Sequence, residues 1–344
     1  MNPPTQERRL TIAAAMSEAI AQSMRTDPSV LVMGEDIGAL GGVFGTTQGL
    51  LAEFGTERVR DTPISETAFI GAATGLASVG MRPIVELMFV DFFGVCMDAI
   101  YNLAAKNCYF SGGQCPVPMV LMTSVGAGYG DAGQHSQALY ASFAHLPGMK
   151  VVAPSNAHDA KGLMMAAIRD PNPVIFMFHK ALQGMGWLGT EAGAISHVPP
   201  EAYTVPIGTA AIVREGSDVT LVGLANTVHV ALKAAARLAD EGISAEVIDL
   251  RSLVPLDRDT VLASVARTGR LLVIDDDYHS YGVSGEIIAS VCEHPAVTLR
   301  SRPARLAFPD IPIPFSPALE HPLLPSPEAA AAKVRTMMTE GNTP

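Results

Sequence analysis

Asp61-Thr62-Pro63-Ile64-Ser65-Glu66 is the stretch on which the fold turns. Behind it Phe69, Ala72, Ala73, Leu76 and Ala77 recur at i, i+3, i+4, i+7 and i+8, and Gly80 stops the run, which is an amphipathic helix with its closing glycine. Gly34-Glu35-Asp36 upstream and Glu86-Leu87-Met88-Phe89-Val90-Asp91-Phe92 downstream likewise sit where a strand pattern gives way to a turn or helix. Parallel α/β sheets gather their ligand contacts at such strand ends, which makes Glu66 the candidate chemical centre. The residues alone leave a second reading open. Ser65 and Glu66 also suit the start of a helix, as cap and first-turn acid.

Outward from this centre the pattern alternates. Ile12, Ala15, Met16, Ala19, Ile20 and Met24 form a helical stripe ended by Asp27-Pro28, and a buried strand at 30–33 delivers Gly34-Glu35-Asp36. A glycine-rich loop at 38–45 precedes a short helix around Leu50, Leu51 and Phe54, closed by Gly55. Strands are expected at 84–88, 118–125, 151–153 and 174–178, with helices at 93–105, before Pro147-Gly148, and from a Ser155 cap to Arg169. Residues 183–208, rich in Gly and Pro, carry no sustained period and read as a linker. A second alternation follows, with strands at 219–224, 245–249, 271–275 and 297–299, helices at 227–241, 257–267 and 283–292, and a terminal helix begun by Ser326-Pro327. The expected fold is α/β with two doubly wound parallel-sheet domains, 1–182 and 209–344, joined by 183–208.

Charged residues make up 17% of the 344, hydrophobic ones 48%, a composition expected of a subunit that hides surface against others. The net charge of -11 and the lack of a Lys/Arg cluster argue against nucleic acid or an anionic membrane as partner. The polar residues 1–9 do not resemble a secretory signal, and no apolar run reaches the roughly 18 residues of a membrane span. The four cysteines form neither a Cys-x-x-Cys pair nor a disulfide framework, so the cytoplasm is the economical location. The 16 methionines suit gaps in a core, and the nine histidines show no zinc spacing.

Gly128-x-Gly130-x-x-Gly133 formally meets the dinucleotide fingerprint, but the next strand ends in Ala153-Pro154, without an acid to hold a ribose. Gly184-x-Gly186-x-x-Gly189 falls in the linker. Asp275-Asp276-Asp277 reads as a solvated acidic turn at a strand end, and no Gly-x-Ser-x-Gly elbow offers a hydrolase nucleophile. His135 follows a strand and a glycine loop, a place over the same kind of sheet edge as Glu66. Together they make an acid/base pair of candidates, although His135 alone is also an ordinary loop histidine.

Arg58-Val59-Arg60-Asp61-Thr62-Pro63-Ile64-Ser65-Glu66, Gly80-Met81-Arg82-Pro83, His135-Ser136-Gln137, Pro147-Gly148-Met149-Lys150-Val151-Val152 and Asp159-Ala160-Lys161-Gly162-Leu163 follow Gly34-Glu35-Asp36 in this order. From about Leu10 to Met337 the chain resembles the β subunits of the thiamine-diphosphate-dependent decarboxylase components of 2-oxo acid and acetoin dehydrogenase complexes, within the transketolase-like superfamily. The resemblance implies a pyrimidine-binding first domain and a transketolase C-terminal-like second domain. It implies that Glu66 bonds a pyrimidine nitrogen of thiamine diphosphate and so favours the imino form that activates the thiazolium carbon. Phe92 would stack on that ring, Ile64 and Met88 would flank it, Glu35 would lie nearby, and His135 would be the active-site histidine. Met119, Ala167, Ile168, Asp170 and Asn172 fall where relatives place a monovalent cation such as K+.

The same family holds Mg2+ and the diphosphate with a Gly-Asp-Gly and a downstream Asn pair, whereas Gly130-Asp131-Ala132 lacks the third glycine and Asn156 has no Asn neighbour. The implied assembly is therefore an α2β2 heterotetramer whose α subunit supplies the diphosphate half, docked on a dihydrolipoyl acyltransferase core. Stretches 86–92, 202–208 and 312–319 look most like acetoin enzymes, with pyruvate and branched-chain 2-oxo acid enzymes as alternatives. Half of a split transketolase-like enzyme, or a non-catalytic assembly subunit, are further alternatives. Phe178 departs from the pattern, standing where relatives usually carry glutamate.

Overall fold

The computed structural model describes residues 8–185 and 188–340; Gly186 of the second glycine motif, residues 1–7 and residues 341–344 lie outside them. The chain groups into two compact units. One holds the residues up to 124 together with 146–207, and the other holds 125–145 together with those from 208 onward.

In the first unit β1 (Arg9–Leu10) leads into α1 (Ile12–Thr26), whose Thr11 hydroxyl accepts a hydrogen bond from the Ala14 amide. The stripe Ile12, Met16, Ile20 and Met24 is fully buried, and α1 packs on α6. In chain order β2 (Val30–Gly34), α2 (Leu50–Phe54), β3 (Val59–Asp61), α3 (Glu66–Ser78) and β4 (Arg82–Phe89) follow, and a 3₁₀ turn at Val90–Val95 runs into a π-helical Ala99–Ala104. Next come α4 (Asn107–Phe110), whose Tyr109 and Phe110 rings stand exposed, and β5 (Val120–Val125). The chain leaves for α5 (Tyr140–Ala144) and returns with β6 (Lys150–Val152), α6 (Ala157–Arg169), β7 (Val174–His179) and β8 (Ser196–His197). The strands lie in the order β6-β7-β5-β4-β2-β3. Pairs β2–β3, β2–β4, β4–β5 and β6–β7 are parallel, and β2, β5 and β7 are buried throughout, as strands covered on both faces are.

The glycine- and proline-rich segment from 183 to 207 is bound into this unit. Its β8 pairs antiparallel with β1, and Val205 lies so close over α6 that a Cβ on Gly162 would come within 2.5 Å of it. Lys161 holds the segment from beneath: its fully buried ammonium donates to the carbonyls of Pro199 (2.6 Å), Pro200 (3.3 Å) and Glu201 (2.9 Å) and to Glu18 Oε1 (2.7 Å). Burial alone would raise the Glu18 carboxyl, but Arg8 and Lys161 outweigh it and hold it below its usual range.

The second unit builds a sheet in the order β14-β13-β10-β11-β9 from β9 (Ala211–Arg214), β10 (Val219–Gly223), β11 (Ala245–Asp249), β13 (Leu271–Tyr278) and β14 (Ala304–Phe308). Only the edge strand β9 runs antiparallel among these pairs. The short β12 (Ser252–Val254) also belongs to this part of the chain. Val219, Leu221, Val247, Leu272 and Ile274 face α7 (Asn226–Ala239) and α11 (Pro327–Glu340), forming one core. On the opposite face Thr220 shares its hydroxyl with Ser264 (2.6 Å) and Thr268 (2.8 Å) of α8 (Arg258–Thr268), beside α9 (Val283–Glu293); α10 (Pro317–Glu320) lies near the end. Both units are thus doubly wound α/β layers.

Several local expectations change. The helix expected at 93–105 is instead 3₁₀ up to Val95, broken at Cys96 and π over Ala99–Ala104, where Ala105 N reaches back five residues to Ile100 O. Asn156, not Ser155, caps α6 by accepting the Asp159 amide at 2.9 Å. No strand forms at 297–299; the edge strand is β14, and β9 and β12 were not anticipated. Asp275 and Asp277 lie buried within β13, where they accept backbone amides of Asp277, Ser284, Tyr278 and Ala141, so this is no solvated turn.

Lys161→Ala would strip three carbonyls and Glu18 of a buried donor. The expected loss is about 3 kcal/mol of unfolding free energy, measured by urea titration. A loss below about 0.5 kcal/mol, the level of an ordinary surface change, would refute the latch.

Candidate active site

Register builds the first unit's carboxyl edge. Gly34 pairs with Asp61 on one side and with Glu86 on the other, so Glu35 and the 61–66 stretch leave the sheet side by side while β4 continues to Phe89 before its chain turns away. The turn is fastened by Thr62 N donating to Gly34 O (2.9 Å) and Gly38 N donating to Asp61 Oδ1 (2.7 Å). Glu66 then opens α3. The capping alternative weakens here: Ser65, in the cap position, makes no side-chain cap bond and donates instead to Pro63 O at 3.4 Å.

Glu66 is buried, and its carboxyl makes no hydrogen bond or ion pair among the described residues. Its charge reaches two neighbours. Burial first, then Glu66 and Asp36, raise the Glu35 carboxyl above its usual range. Burial, with Glu66 adding to it, pushes the Cys96 thiol up to about 12. Glu86, wholly inside, is pushed up to about 7 by burial; a hydrogen bond from Thr46 Oγ1 to its Oε2 (2.6 Å) opposes this and the charge of Glu35 adds to it. Its Oε1 has no partner among the described residues.

Around these acids the walls are apolar. Phe92 meets Phe89 edge-on at 5.6 Å, Phe89 meets Phe44 at 5.6 Å, and Phe44 meets Phe178 at 5.6 Å, in a chain of rings that Lys180 overlies at Phe89. Phe178 therefore fills its site by aromatic packing against Phe44, where relatives usually carry a charge. Met88 and Phe92 are partly open and Ile64 is 82% exposed, so the edge presents apolar surface beside the Glu66 carboxyl. A flat heteroaromatic ring with a basic nitrogen suits this combination of a buried acceptor and exposed apolar flanks.

His135 belongs to the second unit, on the loop that follows β5, and the grouping assigns Glu66 and His135 to different units. The residues expected at a monovalent cation lie in the first unit. Ile168 O and Asp170 O both accept from Arg82 Nη1, at 2.7 and 3.2 Å, so these two oxygens converge. Met119 O accepts the Val174 amide and Ala167 O the Asp170 amide. Asp170 pairs with Lys150 and accepts two bonds from Asn172; burial would raise its carboxyl, but these partners hold it below its usual range. The point on which Ile168 O and Asp170 O converge is thus held by the Arg82 guanidinium, while each carbonyl keeps a second lone pair. No group of three or more His, Cys, Asp or Glu among the described residues is arranged to hold a metal, and no helix among them is long and apolar enough to cross a membrane.

Glu86 and Glu320 were missed as functional candidates. The first is a strand residue whose burial no local pattern reveals, and the second sits in a proline-rich stretch without a motif.

Because the folded Glu86 keeps a proton up to about pH 7 that the unfolded chain releases near 4.5, stability falls as pH rises through that window and stays low above it. The change is on the order of 3 kcal/mol. Glu86→Gln, which mimics the protonated form, should flatten this slope in pH-dependent unfolding; an unchanged slope would place the titration elsewhere.

Comparison with known proteins matches residues 8–184 to the transketolase pyrimidine binding domain and residues 208–329 to the transketolase C-terminal domain. The β subunit of acetoin:2,6-dichlorophenolindophenol oxidoreductase from Cupriavidus necator is 48% identical, covering 97% of this chain and 99% of that one. The mitochondrial pyruvate dehydrogenase E1 component subunit beta-1 of Arabidopsis thaliana is 45% identical over 92% of this chain and 86% of its own. Among solved structures, a split gene transketolase described as an inactive beta4 tetramer superposes with a TM-score of 0.77 at 22% identity over 97% of this chain and 99% of that one, a likeness of fold. The chain therefore belongs to the transketolase-like family of paired pyrimidine-binding and C-terminal domains, among the β subunits of the dehydrogenase E1 components.

Proposed function

We propose that the chain is the β subunit of a thiamine-diphosphate-dependent dehydrogenase component that cleaves acetoin and passes the acyl group to lipoamide. The observation that carries this reading is the buried Glu66 carboxyl, without a hydrogen-bonding partner among the described residues, beside the open faces of Phe92, Met88 and Ile64. In this reading residues 1–182 bind the pyrimidine, 183–208 link, and 209–344 form the C-terminal domain.

Thiamine diphosphate, when bound, supplies the carbon nucleophile that attacks a carbonyl and carries the acyl group. Glu66 hydrogen-bonds a ring nitrogen of the pyrimidine and stabilises the proton held there. Phe92 packs against the ring face, with Ile64 and Met88 at its flanks. Glu35, its carboxyl raised by burial and by Glu66, buffers the charge of the site. His135 gives or takes a proton at an imidazole nitrogen on the substrate side.

Mg2+ and the diphosphate fall to an α subunit, because Gly130-Asp131-Ala132 lacks the third glycine of the Gly-Asp-Gly and Asn156 has no Asn neighbour. The assembly is α2β2 on a dihydrolipoyl acyltransferase core, in the cytoplasm, with K+ at Met119, Ala167, Ile168, Asp170 and Asn172. A 2-oxo acid remains the second reading for the substrate, favoured by the 45% identity to a pyruvate dehydrogenase β subunit. An acid substrate needs a partner for its carboxylate, and a missing one costs several kcal/mol, so the two classes separate sharply in assay. Acetoin, pyruvate and 2-oxoisovalerate given to the reconstituted complex decide it: acetoin is expected to be preferred, and a strong preference for either acid overturns that ordering.

Glu66→Gln keeps the shape of the side chain and removes its charge. Turnover of the reconstituted enzyme should fall about 100- to 10,000-fold with little change in melting temperature. Near-normal turnover with a lowered melting temperature would return Glu66 to a helix-start role. Phe92→Ala should raise the cofactor concentration needed for half-maximal rate more than it lowers the saturated rate, since a ring contact contributes about 0.5 to 1.5 kcal/mol beyond burial; the reverse pattern would remove Phe92 from the ring face.

A further inference from the structure

The glycine motif at 128–133 has found an internal anion. Glu320, at the end of α10, is fully buried, and its two carboxylate oxygens each take a backbone amide: Oε1 accepts from Gly128 N at 2.8 Å and Oε2 from Gly130 N at 2.9 Å. Both glycines have positive φ, +111° and +69°, a conformation that turns successive amides to one side and that side chains rarely permit. The amides that a dinucleotide fingerprint would present to a phosphate are thus occupied by the chain's own carboxylate.

The clamp is continuous with the loop that bears His135. Gly126 N donates to Gln137 O at 3.1 Å and closes the base of the loop, while His135 N donates to Ala132 O at 3.3 Å inside it. Tyr278 OH donates to Gln137 Oε1 at 3.2 Å, and His321 Nε2 lies 3.3 Å from Gly128 O. Pro317 and the Phe315 carbonyl lie directly against Gly130, and Ile313 lies against Gly133. A buried carboxylate is tolerated only when its hydrogen bonds are complete, and charge-assisted bonds to two amides are about twice as strong as neutral ones. Residues 126–137 are therefore fixed at their base by their own backbone and at their tip by Glu320.

We propose that Glu320 is a positioning residue for His135: by holding the Gly128 and Gly130 amides it sets where the imidazole stands. This rests on the reading of His135 as the group that moves a proton for the substrate. Glu320 touches neither substrate nor cofactor and acts only through the loop.

The test compares Glu320→Gln, Glu320→Asp, His135→Ala and the double variant Glu320→Gln/His135→Ala, each reconstituted with the α subunit. A misplacement of about 1 Å in a reacting group costs roughly 100-fold, so Glu320→Gln should lower kcat about 10- to 100-fold while the cofactor concentration for half-maximal rate stays within about twofold. The limb of the pH–rate profile that disappears in His135→Ala should move in Glu320→Gln, and the Glu320→Gln change should cost nothing further in the His135→Ala background. Glu320→Asp should recover part of the rate. Hydrogen exchange on the unmodified protein should show the Gly128 and Gly130 amides protected like strand amides. If these two amides exchange as fast as an open loop, the clamp is refuted without any variant having to fold. If Glu320→Gln lowers only the melting temperature, or multiplies fully with His135→Ala, Glu320 is a structural residue and the proposal falls. A fully active His135→Ala would instead overturn the reading of His135, a result distinct from either.

Discussion

Parallel register between β2 and its two neighbours is the constraint from which the candidate site follows. Once Gly34 lies beside both Asp61 and Glu86, β2 and β3 end together, β4 runs on past them to Phe89, and the residues that follow share one edge. Three glutamates meet there in an environment made mostly of aliphatic and aromatic side chains. Their mutual repulsion and poor hydration raise Glu35 and Glu86 above their ordinary range. An edge so loaded favours a ligand that brings hydrogen-bonding nitrogen rather than further negative charge.

The first unit also shows how an irregular segment becomes part of a core. Residues from 183 to 207 have no periodic pattern to bury, yet Lys161 supplies them with a donor for three successive carbonyls, and Gly162 lets them descend onto α6. The carbonyls gain what a sheet ladder would otherwise have provided. Asp275 and Asp277 do the converse in the second unit, supplying acceptors to amides that lack a strand partner. In both cases a polar side chain is kept inside because the backbone around it needs a hydrogen-bonding partner.

Much of this was readable beforehand, and the reasons are local. The period of α1, the closing glycines at 55 and 80, and the Ser326-Pro327 start, where Ser326 Oγ accepts the Ala329 amide, are written in short windows, whereas the stripe expected of α3 is only partly its buried face: Ala72 is exposed and Ile70 and Thr74 are buried instead. The placement of Glu35, Glu66, Met88 and Phe92 on one edge could be read because strand ends in parallel sheets converge. What escaped depends on distant residues. Lys161 is buried against the general rule for lysine because its partners lie about forty positions away. Glu320 finds Gly128 across 192 positions, with no spacing to betray it. The 3₁₀ and π segments at 90–104 escaped for another reason: their apolar residues fit an α period well enough, and the break at Cys96 that separates a tighter 3₁₀ winding from a wider π winding leaves no mark in a short window.

Tyr109 and Phe110, rings about 6 Å apart and mostly in solvent, have a consequence for association rather than for catalysis. Neighbouring aromatic rings left in water are sticky toward any chain with a matching patch. Whatever covers one of them takes both out of water, so the pair offers a single apolar contact about two aromatic side chains in size.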